Sequence, residues 1–378
     1  MNPLVSFVVP CYRLAHLLRE CVDSILRQSY ANFEILILDD CSPDNTPEVA
    51  RSYTDPRVRY IRNDSNLGHL RNYNKGISLA QGEYVWLISA DDCLRRPYIL
   101  DRYVQLMVKH PNIGFVFCPA VGLGDRGETE VLKYSMRGSE DTIFPGREFL
   151  SNQLLNSDCV VVASAMARKD CYSKLSFYPL DMPYAGDWYM WCLFALHYDV
   201  GYLSEAMVLY REHGLSMTNS LKQQSARILI EDDLAVLWRI WNKVDELGLS
   251  TLVERCYDAL ANRYVLCASR EVHDLGSYRL PIVDCIQSVK RNAKNLRFER
   301  RLLARIFTRL ADGWYWQGNY SGSLDSYCRS LSYEFVNVGV WLKIALLKAG
   351  GTGISLRRGL LDIRRSSAKA EIQLGRQS

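Results

Sequence analysis

The sequence has no run of apolar residues near the ~18 that a membrane-spanning helix requires. Its twelve cysteines include no Cys-x-x-Cys pair, so they support neither a zinc site nor a disulfide framework and are typical of free thiols in a reducing cytoplasm. The net charge of +4 is too small to indicate a nucleic-acid partner. The apolar start lacks the basic residues and cleavage site of a signal peptide, and we expect it to form a first strand. These absences favour a cytoplasmic protein.

No glycine-rich sequence follows that first predicted strand. The turn at residues 10–15 reads PCYRLA, without the Gly-x-Gly-x-x-Gly fingerprint of dinucleotide-binding enzymes. A nucleotidyltransferase would also require a glycine-rich, basic loop at this place. The sequence therefore argues against a nicotinamide-dependent dehydrogenase and against a nucleotidyltransferase.

Apolar strand patterns alternate with helical patterns over the first two hundred residues. Strands are predicted at residues 5–10, 33–38, 58–62, 83–88, 113–119, 160–167 and 203–210. This α/β alternation predicts a mostly parallel sheet covered by helices. A turn-rich stretch at 120–146 is expected to hold an irregular excursion or a short hairpin.

Strand signals stop after about residue 220, and long helical patterns follow. We therefore predict a domain at residues 1–220, an all-α domain at 221–350 and a basic tail at 351–378, with a linker at 217–220. Within the helical part, residues 311–327 resemble one tetratricopeptide unit, and a plain helical bundle is the alternative. The helical domain could form a homodimer. The tail could form a basic amphipathic helix for peripheral contact with an anionic membrane, or remain solvated.

Two pairs of aspartates follow two of the predicted strands. Asp39 and Asp40 end the segment ILILDD, and Asp91 and Asp92 end the segment YVWLISADD. An open α/β sheet binds its ligand at the carboxyl ends of its strands. Carboxylates at that edge are suited to a polar ligand and a divalent cation.

Four segments in one order resemble the inverting family 2 glycosyltransferases, which have the nucleotide-sugar-binding GT-A fold. They are VSFVVPCY (5–12), FEILILDDCSPDNT (33–46), the stretch from NLG (66–68) to SADD (89–92), and GDW (186–188) with YREH (210–213). The resemblance covers about residues 3–217. It implies a transferase of the bacterial surface-polysaccharide type that moves a sugar from a nucleotide-diphosphate donor to a hydroxyl of a saccharide or lipid-linked acceptor. UDP-sugars are the family's commonest donors.

The resemblance implies roles at the donor site. Asp40 matches the acid that reads the base, and Pro10 and Tyr12 would form the floor under the base. Asp39 would point away, or would satisfy backbone donors in its turn. Asp91 and Asp92 would share ribose contact and the ligation of Mn²⁺ or Mg²⁺.

Three further residues are assigned by the same resemblance. His213 matches a histidine that completes the metal shell in some members, and a loop histidine that packs on the fold is the alternative. Arg211 could pair with phosphate. Arg71 could replace a cation that the family places near residues 73–74, and a surface arginine is the alternative.

Inversion needs one general base, which deprotonates the acceptor hydroxyl as it attacks opposite the leaving diphosphate. Asp187 matches the family's base position, and an N-cap of the following helix is the alternative. Trp188 would form a wall of the acceptor site, although aromatics at helical spacing more often belong to a core.

The chain departs from the family pattern at two positions. Ser89 replaces the first Asp of the metal-binding motif, and Gly186 replaces the Glu that usually precedes the base. These departures leave an alternative function open, in which a catalytically silent module binds nucleotide sugar as a scaffold.

Overall fold

The structure is a computed structural model, which describes residues 2–124, 126–214, 216–269 and 280–357. The chain forms two compact units, residues 1–256 and 257–378. The predicted boundary near residue 220 concerns which part of the chain folds independently, and it stays a prediction.

An eight-stranded mixed sheet forms the centre of the first unit. In sheet order its strands are β3 (Val58–Arg62), β2 (Phe33–Asp39), β1 (Val5–Cys11), β4 (Tyr84–Leu87), β10 (Met166–Arg168), β6 (Ile113–Phe117), β11 (Asp199–Tyr202) and β9 (Thr142–Phe144). Strands β3, β2, β1 and β4 run parallel, so that their carboxyl ends meet at one edge. Both β1 and β2 are fully buried, as their continuous apolar runs predict.

A second, four-stranded sheet brings a late segment of the chain to that edge. Its order is β5 (Cys93–Leu94), β12 (Val208–Arg211), β7 (Ala120–Gly124) and β8 (Gly127–Val131). Strand β12 pairs with β5, which directly follows Asp91 and Asp92. The predicted hairpin in the 120–146 stretch is therefore present as β7 and β8.

Helices cover the sheet of the first unit. They are α1 (Ala15–Leu26), α2 (Thr46–Arg51), α3 (His69–Leu79), α4 (Ile99–Lys109), α5 (Gly146–Phe149), α6 (Lys169–Lys174), α7 (Gly186–His197), α8 (Met217–Gln224) and α9 (Ala226–Glu246). The core between the layers stacks the rings of Phe7, Trp86 and Tyr103, with centroids 5.4 and 4.7 Å apart.

Three local predictions were wrong. The predicted linker at 217–220 is the start of α8, where the Ser216 side chain accepts a hydrogen bond from the N–H of Asn219. The predicted strand at 203–210 is irregular over residues 203–207 and is a strand only from Val208, as β12, and only the last residues of the predicted 160–167 strand lie in β10.

The second unit is helical in its described residues. Helix α10 (Ser250–Ser269) crosses the division between the units, and α11 (Ile282–Asn292), α12 (Leu296–Trp316), α13 (Tyr320–Tyr333) and α14 (Val338–Lys348) follow. Helices α12 and α13 form an antiparallel hairpin, because Ser323 bonds Ala311 while Ser330 bonds Ala304. The helix-turn-helix expected at 311–327 is thus present, and its kinship with tetratricopeptide units stays a prediction.

Two predictions concern membranes. No helix among the described residues has the length and apolar character needed to cross a membrane. Most of the predicted basic tail, residues 358–378, lies outside the described residues.

Candidate functional site

A cavity of about 320 Å³ opens where β1, β2 and β4 end. Pro10, Tyr12, Asp40 and Asp91, four of the residues predicted to bind the nucleotide sugar, line it. The strand order β2–β1–β4 brings them together, since Pro10 and Tyr12 lie at the end of β1, Asp40 follows β2 and Asp91 follows β4.

The turns that follow β1 and β2 are held in an uncommon conformation. Arg13 and Cys41 have φ angles of 59° and 61°, which glycine adopts more easily than other residues. Ser42 ties the turns together, because its Oγ accepts from the N–H of Arg13 while its own N–H donates to Asp39. Asp39 is fully buried and also bonds Arg62, so it satisfies donors of the turn and does not line the cavity.

Asp40 is held by three hydrogen bonds from the protein. Its Oδ1 accepts from Nδ2 of Asn63 at 2.7 Å and from the N–H of Leu67 at 2.8 Å, and its Oδ2 accepts from the N–H of Gly68 at 3.0 Å. A carboxylate has about four acceptor positions. About one therefore remains for a ligand.

A polar network that was not predicted from the sequence orients Asp40. Asn63 bonds both Asp40 and Asn72, and Nζ of Lys75 donates to Oδ1 of Asn63 at 2.6 Å. Asn72 in turn donates to the carbonyl of Leu38, in β2. The available signal was that Asn63 directly follows β3, at the edge where Asp40 follows β2.

The two members of the second acidic pair, Asp91 and Asp92, lie in different environments. Asp91 lines the cavity, and its Oδ2 lies 2.9 Å from Nε2 of His213, while its Oδ1 is enclosed and has no hydrogen-bond partner. Asp92 is buried, and its Oδ1 accepts from the N–H of Arg211 at 2.9 Å. Burial and the neighbouring charge of Asp91 raise the pKa of Asp92 well above its usual value. Asp91 is thus the member of the pair that a ligand can reach.

The donor set at Asp91 fits a hard divalent cation. An enclosed carboxylate oxygen without a partner is a group that a bound cation would satisfy. No cluster of three or more His, Cys, Asp or Glu side chains suited to a metal occurs in the described part of the chain. Asp91 and His213 therefore fit an ion that takes its other ligands from water and phosphate, as Mg²⁺ commonly does.

The two arginines predicted to bind the nucleotide sugar, Arg211 and Arg71, are not among the residues that line this cavity. The guanidinium of Arg211 donates to the carbonyl of Asp91 at 3.0 Å and to Glu20 at 2.6 Å, so it fastens β12 to the turn that carries the acidic pair. Arg71 is exposed on α3. Pairing of Arg211 with phosphate and the role of Arg71 as a replacement cation both stay predictions.

Asp187 lies in the first turn of α7 and is partly exposed. The N-cap of this helix is Ala185, so the alternative interpretation of Asp187 as the N-cap is wrong. Burial raises the pKa of Asp187 to about 6. A carboxylate with such a pKa is a stronger base than an exposed one and is still largely ionised at neutral pH.

Tyr73 is a further residue of the cavity lining, and the sequence motifs assigned it no role. It lines the cavity together with Ser89, and its ring lies 5.7 Å from that of Tyr178. Burial and the charges of Asp187 and Asp91 raise the pKa of Tyr73, and a hydrogen bond with Ser89 lowers it. Tyr73 is therefore close enough to both the predicted base and the predicted metal ligand for their charges to act on its hydroxyl.

Asp158 is a second carboxylate near Asp187 that the sequence gave no reason to single out. Its Oδ1 accepts from the N–H of Val160 at 3.1 Å. The surrounding protein and the charge of Asp187 raise the pKa of Asp158 well above its usual value, although part of its surface stays exposed. Carboxylates that interact in this way titrate as a pair.

The segment before Asp187 is anchored from two sides. Asp232 of α9 is 5% exposed, and its Oδ2 accepts from the N–H groups of Tyr184 at 2.7 Å and Ala185 at 3.2 Å. On the other side, Nε2 of His69 lies 2.9 Å from the carbonyl of Pro183. Helices α9 and α3 thus hold the chain that leads into α7.

Trp188 lies in the core. It is 2% exposed, and its indole N–H donates to the carbonyl of Leu154 at 2.8 Å. This placement agrees with the alternative interpretation as a core aromatic and leaves almost no surface for an acceptor.

Comparison with known proteins begins with a family match. Residues 6–175 match the model of glycosyl transferase family 2. The chain is 37% identical to the glycosyltransferase GlyG of Streptococcus pneumoniae serotype 4 over 115 residues, which are 30% of this chain and 38% of that protein. The chain therefore spans less than two fifths of this relative's length.

Two solved structures share the fold. Staphylococcus aureus TarS 1–349 in complex with UDP-GlcNAc has a TM-score of 0.59 at 16% identity and covers 87% of this chain and 91% of its own. The mannosyltransferase PcManGT of Pyrobaculum calidifontis, in complex with GDP-Man and Mn²⁺, has a TM-score of 0.50 at 16% identity, with 89% and 88% covered. These similarities confirm the predicted GT-A fold followed by a helical region.

Proposed function

Because residues 6–175 match the model of glycosyl transferase family 2, we propose that this chain transfers a sugar from a nucleotide-diphosphate donor to an acceptor hydroxyl. The observation that carries the proposal is the single cavity lined by Tyr12, Asp40 and Asp91 at the carboxyl ends of parallel strands. The donor is proposed to be a UDP-sugar, and the UDP-GlcNAc in the TarS complex supports this class. The acceptor is proposed to be a saccharide or a lipid-linked saccharide.

Donor binding would begin with the base. The side chain of Tyr12 is 39% exposed at the cavity, with the Arg13 guanidinium 5.1 Å from its ring, and the exposed part of the ring would stack on a base above the floor formed by Pro10. The remaining acceptor position of Asp40 would take a hydrogen bond from a base N–H. Because Asn63 and Gly68 already hold this carboxylate, its orientation costs little on binding.

Asp91 and His213 would hold Mn²⁺ or Mg²⁺ together with the diphosphate. A cation bound there supplies positive charge that offsets the charge developing on the leaving diphosphate. The unpartnered Oδ1 of Asp91 supports this assignment, and the Mn²⁺ in the PcManGT complex supports divalent metal use. Asp92 would support this site indirectly, because its carboxylate accepts a hydrogen bond from the backbone N–H of Arg211.

Asp187 would be the general base, and one base with direct displacement inverts the anomeric carbon. Its pKa of about 6 supports the role, because the group is then mostly ionised at neutral pH and able to accept a proton. Tyr73 lines the cavity and is close enough to Asp187 and Asp91 for their charges to raise its pKa, so its hydroxyl would contact the transferred sugar.

Three expectations from the sequence stay predictions. They are the cytoplasmic location, the membrane contact through the basic tail and a homodimer through the helical unit. The alternative of a catalytically silent scaffold finds no support in the comparisons.

The proposal is tested by calorimetric titration of UDP, dTDP and GDP into the protein with and without Mn²⁺. We expect one nucleotide to bind more tightly with the ion, and Asp40→Ala to abolish binding. The matched control is Asp64→Ala, an exposed acid outside the cavity lining, which should bind as the wild type does. Failure of all three nucleotides to bind would remove the support for a donor site here.

A further inference from the structure

One end of the α12–α13 hairpin exposes a cluster of large apolar side chains. This apolar tip consists of Leu296, Phe335, Val336, Val338 and Leu342, whose exposed fractions are 65, 68, 84, 76 and 59%. Single exposed apolar residues are common on protein surfaces, but a contiguous group marks a contact surface. Next to the tip, the ring of Trp341 packs against the ring of Phe335, with the two ring centroids 5.4 Å apart.

A basic groove adjoins the apolar tip. The groove has a volume of about 570 Å³ and is lined by Leu296, Arg297, Arg300, Arg301, Tyr333 and Glu334. Leu296 belongs to both surfaces, and Glu334 is directly followed by Phe335. Residues 290–301, which lead into the groove, contain six basic residues and one acidic residue.

The backbone of the tip is already bonded within the protein. The N–H of Val338 donates to the carbonyl of Val336, and the side chain of Asn337 caps α14 by accepting from the N–H of Val340. The indole N–H of Trp341 donates to the carbonyl of Phe335. Since a polar group without a partner is costly in an apolar medium, these bonds lower the cost of moving the tip out of water.

We propose that the apolar tip and the basic groove form a docking surface for an anionic lipid bilayer. The charge of the groove complements acidic headgroups, and the apolar tip would enter the boundary between headgroups and acyl chains. Trp341 would lie at the interface, where indole rings are enriched. This surface is distinct from the basic tail, and the inference stands whether or not the proposed transferase function is correct.

The test is sedimentation of the full chain with vesicles of phosphatidylcholine alone and vesicles that also contain phosphatidylglycerol. We expect salt-sensitive binding to the anionic vesicles. Arg297→Gln should weaken it about five-fold, which corresponds to about 1 kcal/mol for one arginine. Phe335→Ser combined with Val336→Ser should weaken it at least about ten-fold, because two exposed apolar groups lose their burial in the lipid.

Two matched controls keep the result specific. Val283→Ser changes an apolar residue that is 58% exposed at the far end of α11, and Lys348→Gln removes an exposed charge at the far end of α14. Both should bind as the wild type does. Thermal unfolding by circular dichroism shows that each variant is folded, and Arg297→Gln is the safest of them because its side chain is exposed.

Three results would overturn the proposal. The first is no binding to anionic vesicles. The second is binding that survives the tip and groove variants and is lost on Arg364→Gln with Arg365→Gln, which would place the contact in the tail. The third is self-association that the tip variants abolish in the absence of vesicle binding, which would make the surface an interface between copies.

Discussion

Replacing Asp187 by asparagine separates chemistry from binding. The substitution keeps the size of the side chain in the first turn of α7 and removes its ability to take a proton. Since a positioned general base typically contributes about 10²–10⁴-fold, kcat should fall by that factor. Nucleotide binding should remain close to that of the wild type, because Asp187 is not part of the lining of the donor cavity.

The pH dependence of the wild type follows from the same group. Burial raises the pKa of Asp187 to about 6, and the base acts only when it is deprotonated. The rate should therefore rise with pH, reach half its maximum near pH 6 and stay level above it. One pH unit below this pKa about a tenth of the base is ionised, so about a tenth of the activity should remain. In Asp187→Asn this acidic limb should be absent.

In Asp187→Asn the free energy of unfolding should rise although the activity falls. The folded state holds the proton of Asp187 more tightly than the unfolded chain does, since the pKa rises from 3.8 to about 6. The penalty for ionising the group is therefore absent below about pH 4 and develops as the pH rises through 6. A shift of this size corresponds to about 3 kcal/mol. Asp187→Asn should raise the free energy of unfolding by up to that amount at pH 7–8, measured by denaturant titration.

The matched control is Asp181→Asn. Asp181 is an exposed acid of the same segment, paired with Arg239 on α9, and its replacement should leave kcat and the pH profile unchanged. An unchanged rate in Asp187→Asn would refute the assignment of the base. A lowered rate that keeps the limb near pH 6 would move that titration to another carboxylate, with Asp158 as the first to examine.

Three further predictions concern the metal, the positioning of the base and the domain boundary. Excess EDTA should abolish transfer, and His213→Ala should raise the Mn²⁺ concentration needed for half-maximal rate; full activity in EDTA would contradict the metal role. Asp232→Ala should lower kcat about ten-fold with KM for the donor little changed, because the segment before α7 loses two hydrogen bonds. Partial rescue of kcat by Asp232→Asn would distinguish a positioning role from misfolding. An unchanged kcat in Asp232→Ala would contradict the positioning role of Asp232. A chain ending at residue 224 should melt at lower temperature than one ending at 256, since it lacks α9 and its buried side chains; equal melting temperatures would support the boundary at 220.

Continuous apolar runs made part of the fold readable from the sequence. The strand at 58–62 has the predicted bounds, and the runs at 5–10 and 33–38 became fully buried central strands. The run at 203–210 was only partly correct as a strand, because β12 begins at Val208. Glu205 lies in the irregular residues before β12 and pairs with Arg96 and Arg102, so a charged side chain interrupts the apolar run there.

The sequence by itself determined the residues at the ends of the strands. Pro10, Tyr12, Asp40 and Asp91 share a cavity because parallel strands place their carboxyl ends at one edge, and this rule applies before any contact is known. The same rule would have found Asn63, which follows the adjacent strand.

Only the tertiary structure decided which of these side chains faces the cavity and which supports the surrounding backbone. Adjacent aspartates look equal in sequence, yet Asp91 faces the cavity and Asp92 faces the backbone of Arg211. Likewise, nothing near Asp187 in the sequence points to Asp232, 45 residues later. Burial, charge and hydrogen bonding depend on which elements pack together, and long-range packing leaves no local pattern from which it could be read.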